Sequence, residues 1–430
     1  MNRHDNSIPI GKSASLLCKD RFCHTLFLGE PAGDEKRKVM LSMIQHDLAA
    51  PDVGVTVIDT DGRLTSTVAG LAELAGRDFI RLDPAREDCP FFNPLAAGPL
   101  DGDDEVDTVE TTVSLFLRSM FNRTGSEDVE LLVEKALRRT LLVLKRLDKA
   151  AGVRGKYANF LNMDVLLQNP HQEGHRLVQE FSRLDGGTEK KKENADIAAW
   201  FLNEYYAEKS KTFENLAVLR AAVSDIVQDP RLRRLMCPDV ERGETGIDLK
   251  EHVINGGVIC ASIARPTLGS KAIFFGQAFM LAYHCAVSAR LYAHRDLKPQ
   301  MFYAEDFQDV VAPDFWIHFQ CGNTYLFAAH ISLPAWARLY DNGRVSGQFK
   351  LFLRSNIRNH LLFSGLDRRD ISYYMQEAVD EELNERQWAR ARKEPQPDRF
   401  LSPLNICEGT CLCLLMRDHR HQPPVLSEIG

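Results

Sequence analysis

The stretch His24-Thr-Leu-Phe-Leu-Gly-Glu-Pro-Ala-Gly-Asp-Glu-Lys-Arg37, continuing as Lys38-Val-Met-Leu-Ser-Met-Ile-Gln-His-Asp-Leu48, reads as strand, loop and amphipathic helix in succession. The apolar run Leu26, Phe27, Leu28 breaks at Gly29, and a Pro/Gly turn follows. Apolar residues then fall at Val39, Met40, Met43, Ile44 and Leu48, the spacing of one buried helix face. A phosphate-binding loop occupies such a setting. Backbone N–H groups at a helix N-terminus cradle phosphates, a Lys reaches the outer ones, and a Ser/Thr hydroxyl holds Mg²⁺. Laid over G-x-x-x-x-G-K-[ST], Lys36 takes the lysine position. Glu30 then stands at the first glycine place, Glu35 at the second and Arg37 at the hydroxyl place, while Gly33 and Asp34 lie inside the loop. The Glu35 carboxylate opposes a polyanion, since like charges about 4 Å apart cost roughly 4 kcal/mol at an effective dielectric near 20. Arg37 cannot ligate a metal. On the motif alone, an ordinary turn competes with a phosphate loop.

The 430 residues are 44% hydrophobic and 26% charged, enough for a large core in two domains or in one domain with a big insertion. Met1 to Lys12 is polar and lacks the apolar run of a secretory signal. The longest apolar stretch, Ala272 to Ala289, contains Gln277 and His284 and reads as a buried helix. Ten cysteines lack paired metal spacing, and Cys411-x-Cys413 reads as alternation along a strand, so a reduced, cytoplasmic protein is expected. A net charge of −7 argues against a generally basic nucleic-acid binder, leaving room for a local patch.

Beyond the first helix, Val53 to Asp59 is an apolar strand ending in an acid, Leu64 to Ala75 a helix, and Phe79-Ile-Arg-Leu82 a further strand. This tempo implies parallel α/β units, with ligand chemistry at the carboxyl ends of the strands. Asp59 and Asp61 lie at such an end, where capping the next helix is their ordinary role. From 104 to about 240 helical spacing takes over, through Val129, Leu132, Val133, Leu137 and Leu141, and an all-α insertion is expected. Within it, Gly186 to Glu193 reads as a charged surface loop, and Arg231, Arg233 and Arg234 close a helix begun by Asp229-Pro230.

The α/β texture returns with a buried strand over Gly257 to Ile263 and the long apolar helix. Pro299 to Ala304 then runs into Glu305 and Asp306, acids at the end of a strand. In a nucleotide-binding sheet that is where Mg²⁺ is held and an attacking water oriented. The usual order is aspartate then glutamate, and the swap changes carboxylate reach by one methylene. Thr324 to Ser332 is a further strand carrying His330, read either as a γ-phosphate sensor or as a hydrogen-bonded strand-end histidine. Arg358 to Gly365 gives another strand, Asp367 to Glu382 a helix, residues 385–399 a linker, and Cys411 to Met416 a strand closing the sheet.

In this order, the parts resemble the type IV secretion coupling proteins of the TraG/TraD type, hexameric RecA-like motor ATPases related to HerA and FtsK. The resemblance runs through the histidine-led strand and loop, Val57-Ile-Asp-Thr-Asp-Gly62, Ala75-Gly-Arg77, Asp83-Pro84 and Phe92-Asn-Pro-Leu95. It continues through Asp229-Pro-Arg-Leu-Arg233, Phe302-Tyr-Ala-Glu-Asp-Phe307, Ala328-Ala-His-Ile-Ser332 and Asn359-His-Leu-Leu-Phe-Ser-Gly365. It implies an α/β, RecA-like P-loop NTPase core with a mainly parallel sheet, in two parts over 1–103 and 241–430, and an all-α domain inserted over 104–240. It also implies a cytoplasmic ring, peripheral at the inner membrane, that passes a DNA–relaxase complex or a protein substrate to a secretion channel using ATP. By the same resemblance Lys36 contacts the β/γ-phosphates, Glu305 the Mg²⁺ through water, Asp306 the attacking water, and His330 takes the sensor position. The departures at Glu35, Arg37 and the acid pair point to a degenerate site in which ATP binding survives with little or no hydrolysis, and they leave the need for Mg²⁺ open. Two alternatives stand beside this one. One is an active soluble DNA-translocating ATPase with an atypical loop, and the other a catalytically dead scaffold for a secretion substrate or adaptor.

Overall fold

A computed structural model describes residues 7–30, 33–96, 109, 113, 127–168, 172–185, 187–290, 297–312, 315–340, 347–376, 406–417, 420–422 and 424–430. The chain divides into two compact units. The first comprises Met1–Arg81, His252–Ser262 and Ser288–Gly430, and the second Leu82–Glu251 and Ile263–Val287.

The first unit is built on a nine-stranded sheet. A hairpin of β1 (Ser7–Ile10) and β2 (Ala14–Leu17) precedes it, its alternation placing Ile8, Ile10 and Leu16 in the core. The sheet strands are β3 (Thr25–Leu28), β4 (Gly54–Asp59), β5 (Phe79–Leu82), β6 (Val258–Ser262), β7 (Gln300–Ala304), β8 (Phe327–Leu333), β9 (Asn359–Leu362) and β10 (Thr410–Leu414). A short pair, β11 (Met416–Arg417) and β12 (Arg420–His421), stands apart, and β13 (Val425–Glu428) is the ninth sheet strand. In space the order is β13-β10-β9-β3-β8-β7-β4-β6-β5. From β9 through β6 every pair is parallel. Strands β3, β4, β6, β7 and β8 are buried along their whole length, as parallel strands covered on both faces must be. Strand β10 carries the alternating Cys411 and Cys413 but does not close the sheet. It lies antiparallel between β9 and β13, which forms the edge.

Helix α1 (Glu35–Leu48) follows β3, and helix α2 (Arg63–Leu74) follows β4. Val39, Met40, Met43, Ile44 and Leu48 join Leu64, Val68 and Ala72 in one apolar cluster with Phe27, Val57 and Tyr303. Arg77 closes the far end of this layer. Its guanidinium donates to the carbonyls of Leu48, Ala50, Val53 and Gly256, satisfying backbone acceptors where α1 ends.

The second unit is helical through Glu127–Ala151, Phe160–Gln168, Glu173–Ser182, Gly187–Trp200, Ala217–Gln228 and Pro230–Met236. Among its described residues, those from 187 to 193, expected as a loop, form the first turns of a helix, with Lys190, Lys191 and Lys192 exposed. Lys and Glu are good helix formers, and Ile197, Ala198 and Trp200 anchor the same helix by burial. The Asp229 carboxylate accepts the Arg231 and Leu232 amides and caps the helix that Pro230 begins. Helix Lys271–Ala289 is long and apolar enough to cross a membrane, but 72% of its apolar window is buried inside the protein.

The strand expected over 324–332 begins later, at Phe327, because Gly322–Tyr325 forms a helical turn and Leu326 adopts a left-handed backbone. Residues 368–376 are helical, and the remainder of the helix expected to 382 and the linker at 385–399 lie outside the described residues.

Deep in the first unit, Arg21 donates two hydrogen bonds of 2.6 and 2.7 Å to Asp47 near the end of α1 and a third, of 2.6 Å, to Tyr303 on β7. Its guanidinium also lies 3.0 Å from His330 Nε2 on β8. Burial alone would raise the Asp47 carboxyl, but the Arg21 guanidinium outweighs it and holds the group well below the ordinary range. Removing one partner of a buried pair strands the other charge, which typically costs about 3–5 kcal/mol. Arg21→Met is therefore expected to lower unfolding free energy by about that amount in urea titrations, and Arg21→Met/Asp47→Leu by clearly less.

A second expectation concerns His24, whose Nδ1 accepts the Ala329 amide while Nε2 meets the Phe319 carbonyl at 2.9 Å. Burial pushes its pKa down to about 4, against an ordinary value near 6.5. Its neutral form favours the folded state fully above about pH 6.5, and that contribution is lost as pH falls toward 4. Between those limits the unfolding free energy of His24→Gln should fall less steeply on acidification than that of wild type, by up to about 1.4 kcal/mol per pH unit.

Candidate functional site

The loop after β3 leaves the sheet between the ends of its two neighbours. Gly29 N donates to Leu333 O on β8, and Glu30 N to Ser364 O beyond β9. Gly29 has φ +120°, and a Cβ there would stand 2.8 Å from two carbonyl oxygens, so glycine is required at this exit. Helix α1 begins at Glu35 with Asp34 before it, and its first intrahelical bond runs from Lys38 N to Asp34 O. The amides of the first turn are thus free of intrahelical partners, as at any helix start.

The Lys36 ammonium makes no hydrogen bond or ion pair among the described residues. Burial lowers its pKa, and the nearby carboxylates of Asp306, Glu305 and Glu30 oppose that shift. Arg37 behaves differently. Its Nη2 donates to both oxygens of Glu305, at 2.8 and 3.0 Å, and Nη1 lies 3.7 Å from Asp34 Oδ1. Burial raises the Glu305 carboxyl and Arg37 pulls it back without cancelling the shift. Lys36, Arg37, Glu305 and Asp306, singled out in the sequence, are therefore brought together at the carboxyl ends of β3 and β7.

Asp59 and Asp61 join them from β4 and its turn, with ligand oxygens of Asp59, Asp61 and Glu305 all within 4.8 Å of one another. Each acid is already engaged. Asp59 accepts Gly62 N, Thr65 N and Thr65 Oγ1, each at 3.1 Å, the capping role read from sequence. Burial, with Glu305 adding to it, pushes Asp59 up to about 6. Asp61 accepts both the amide and the guanidinium of Arg63, which hold it below the ordinary range against the effect of burial. Asp306 sits at φ +52° and accepts Thr60 Oγ1 at 3.3 Å. A left-handed aspartate costs about 1 kcal/mol or more and marks a backbone held in place by its surroundings.

These donors do not suit Mg²⁺. The hydroxyl place is filled by a guanidinium, and that cation already occupies both oxygens of Glu305. Magnesium also demands near-ideal octahedral oxygen ligands, which carboxylates tied to amides, a hydroxyl and two arginines are not free to supply.

His330 is not part of this cluster. It is register partner to Thr25, at the start of β3 rather than its end, and stacks on Tyr303 at 4.7 Å. Its Nε2 faces Arg21, whose carboxylate partner Asp47 lies twelve residues along α1 from Glu35, about 18 Å of helix. Burial and Arg21 push its pKa well down, and it lies in the middle of β8 rather than at the strand end expected of it. Sequence reasoning also missed Gly409, whose amide donates to Glu35 Oε1 at 3.1 Å. A glycine in the turn before a late strand gives no hint that it meets a residue 374 positions earlier.

No protein-family model and no curated protein sequence matches the chain. Solved structures do. The unbound monoclinic form of the bacterial conjugative coupling protein TrwBdeltaN70 aligns with a TM-score of 0.60 at 12% identity, over 100% of this chain and 89% of that one. The plasmid coupling protein TrwB in complex with the non-hydrolysable ATP analogue ADPNP gives 0.55 at 13% identity, over 100% and 90%. VirB4 of Thermoanaerobacter pseudethanolicus gives 0.56 at 10% identity, over 100% and 97%. At these identities the likeness is one of fold. With its parallel sheet, helix-led loop and strand-end acids, the chain has the RecA-like α/β fold shared by the TrwB coupling protein and VirB4.

Proposed function

We propose that the chain is a coupling-protein-like component of a type IV secretion or conjugation apparatus whose nucleotide site takes ATP weakly, without Mg²⁺, and does not hydrolyse it. The fold likeness to TrwB and VirB4 supports the setting, and the ATP analogue held by one TrwB structure supports the class of ligand. The Arg37–Glu305 pair is the observation that carries the rest.

Among the described residues of the loop and its acid cluster, Lys36 is the cation left open to a phosphate, beside the first-turn amides of α1 that lack intrahelical partners. Arg37 supplies a fixed positive charge where a metal would otherwise stand, and it neutralises the acid that would hold one. Phosphoryl transfer depends on neutralising charge that develops on the transferred group and on placing the attacking water. Here one acid is spent on Arg37, and Asp306 is turned to Thr60. Binding without turnover is the consequence. In such a component the helical region carries the recruiting surface for a DNA–relaxase complex or protein cargo, and assembly is with itself or with other secretion subunits.

Titration with a fluorescent ATP analogue tests this reading. Binding should be equal in EDTA and in millimolar Mg²⁺, should weaken roughly tenfold or more in Lys36→Ala, and should yield no phosphate release with or without single-stranded DNA. Turnover that needs Mg²⁺, rises with DNA and vanishes in Lys36→Ala would overturn it in favour of an active translocating ATPase. Absence of binding at millimolar concentration would favour the scaffold. Arg37→Thr restores a hydroxyl and releases Glu305, so its nucleotide affinity should become Mg²⁺-dependent; an affinity still indifferent to Mg²⁺ would count against the role given to Arg37.

A further inference from the structure

Glu35 is the residue of the loop least like its place in the phosphate-binding signature, and it is 8% exposed although it begins a helix. Charged residues at such positions are ordinarily solvated. Its Oε1 accepts the Gly409 amide, and its Oε2 is buried with no hydrogen-bond partner among the described residues. The carboxylate lies against Gly33, where a Cβ would fall 2.8 Å from Oε2 and 3.0 Å from Oε1. Gly33 thus serves less to let a phosphate approach than to make room for the side chain two residues on.

The other half of the contact is well built. Thr410 Oγ1 accepts the Cys407 amide at 3.0 Å and donates to the Cys407 carbonyl at 2.7 Å, and Thr410 N donates to the same carbonyl. The Gly409 carbonyl in turn accepts Ile429 N at 2.8 Å, tying the turn to the end of the chain. A rigid turn therefore presents one amide to one carboxylate across 374 positions of sequence.

We propose that Glu35 is a clasp that joins the start of α1 to the Cys407–Thr410 turn and opposes the binding of an anion beside Lys36. The proposal rests on the reading of this loop as a nucleotide site and adds a control to it. An anion bound at the start of α1 and the Glu35 carboxylate carry like charge and repel each other. The orphaned Oε2 is costly where it is and would regain water on release. Occupying the loop and opening the clasp are then linked, each favouring the other.

Two variants separate the parts of this device. Glu35→Gln keeps an acceptor for Gly409 and removes the charge, whereas Glu35→Ala removes both. Nucleotide affinity, read with the fluorescent ATP analogue, should rise about tenfold in each. Amide hydrogen exchange over residues 406–412 should quicken in Glu35→Ala, stay near wild type in Glu35→Gln, and quicken in wild type on saturation with the analogue. Circular dichroism melts identify a variant that does not fold, in which case the other decides. If wild type binds the analogue and neither variant binds it more tightly, or exchange over 406–412 is unmoved in Glu35→Ala, the clasp is overturned while the nucleotide site stands. If neither wild type nor variants bind at millimolar concentration, the clasp falls with the nucleotide reading. Tight binding in the variants and none in wild type would support the clasp and revise only the weak affinity proposed for the native loop.

Discussion

A guanidinium shut off from water organises the first unit. Arg21, 1% exposed, bonds at once to the helix that follows the loop, through Asp47, and to the strand that ends in the acid pair, through Tyr303. Buried ion pairs are rarely more stabilising than well-packed apolar residues. What this one adds is register. A one-residue slip of β7 would carry Tyr303 to the other face of the sheet and leave Arg21 and Asp47 without their third partner. The same register sets where Glu305 emerges, two residues beyond Tyr303, and therefore whether Arg37 can reach it.

At the other end of α1 the charges are arranged for a different end than in an intact phosphate loop. A glycine, a lysine and a hydroxyl leave a loop open to a polyanion and its metal. Here the positions read Glu35, Lys36 and Arg37, and each substitution has found a partner inside the fold. Glu35 meets the backbone amide of Gly409, in the turn before β10, and Arg37 meets the acid expected to serve a metal. Lys36 alone among the three keeps an ammonium with no hydrogen bond or ion pair among the described residues. Both departures from the signature thus have partners within the fold, Glu35 through one of its oxygens and Arg37 through both oxygens of Glu305.

Much of this is legible in the sequence alone. The strand, loop and helix around Lys36 follow from a break in an apolar run and a 3.6-residue spacing, both local properties. The carboxyl-end placement of Asp59, Glu305 and Asp306 follows from strands that end in acids, because parallel α/β units share one ligand-bearing edge. Other readings failed for physical reasons. The Lys-rich run after Gly186 looks like a loop only if charge is taken for irregularity, whereas lysine and glutamate favour helix and need only a few buried anchors beyond them. His330 sits in a strand that does end near the site, but it lies at the level of Thr25, and no local pattern reports position along a strand relative to its neighbours.

The chain's order of apolar runs and breakers by itself determined that there would be a parallel sheet, a helix-led loop containing Lys36, and acids at the ends of two further strands. Those are consequences of short-range periodicity. Which side chains would meet was decided only by the tertiary structure. Arg37 lies 268 positions from Glu305, Glu35 lies 374 from Gly409, and Arg21 lies 309 from His330. Contacts of that span depend on strand order and register, which arise from packing the whole sheet and leave no trace in any single segment.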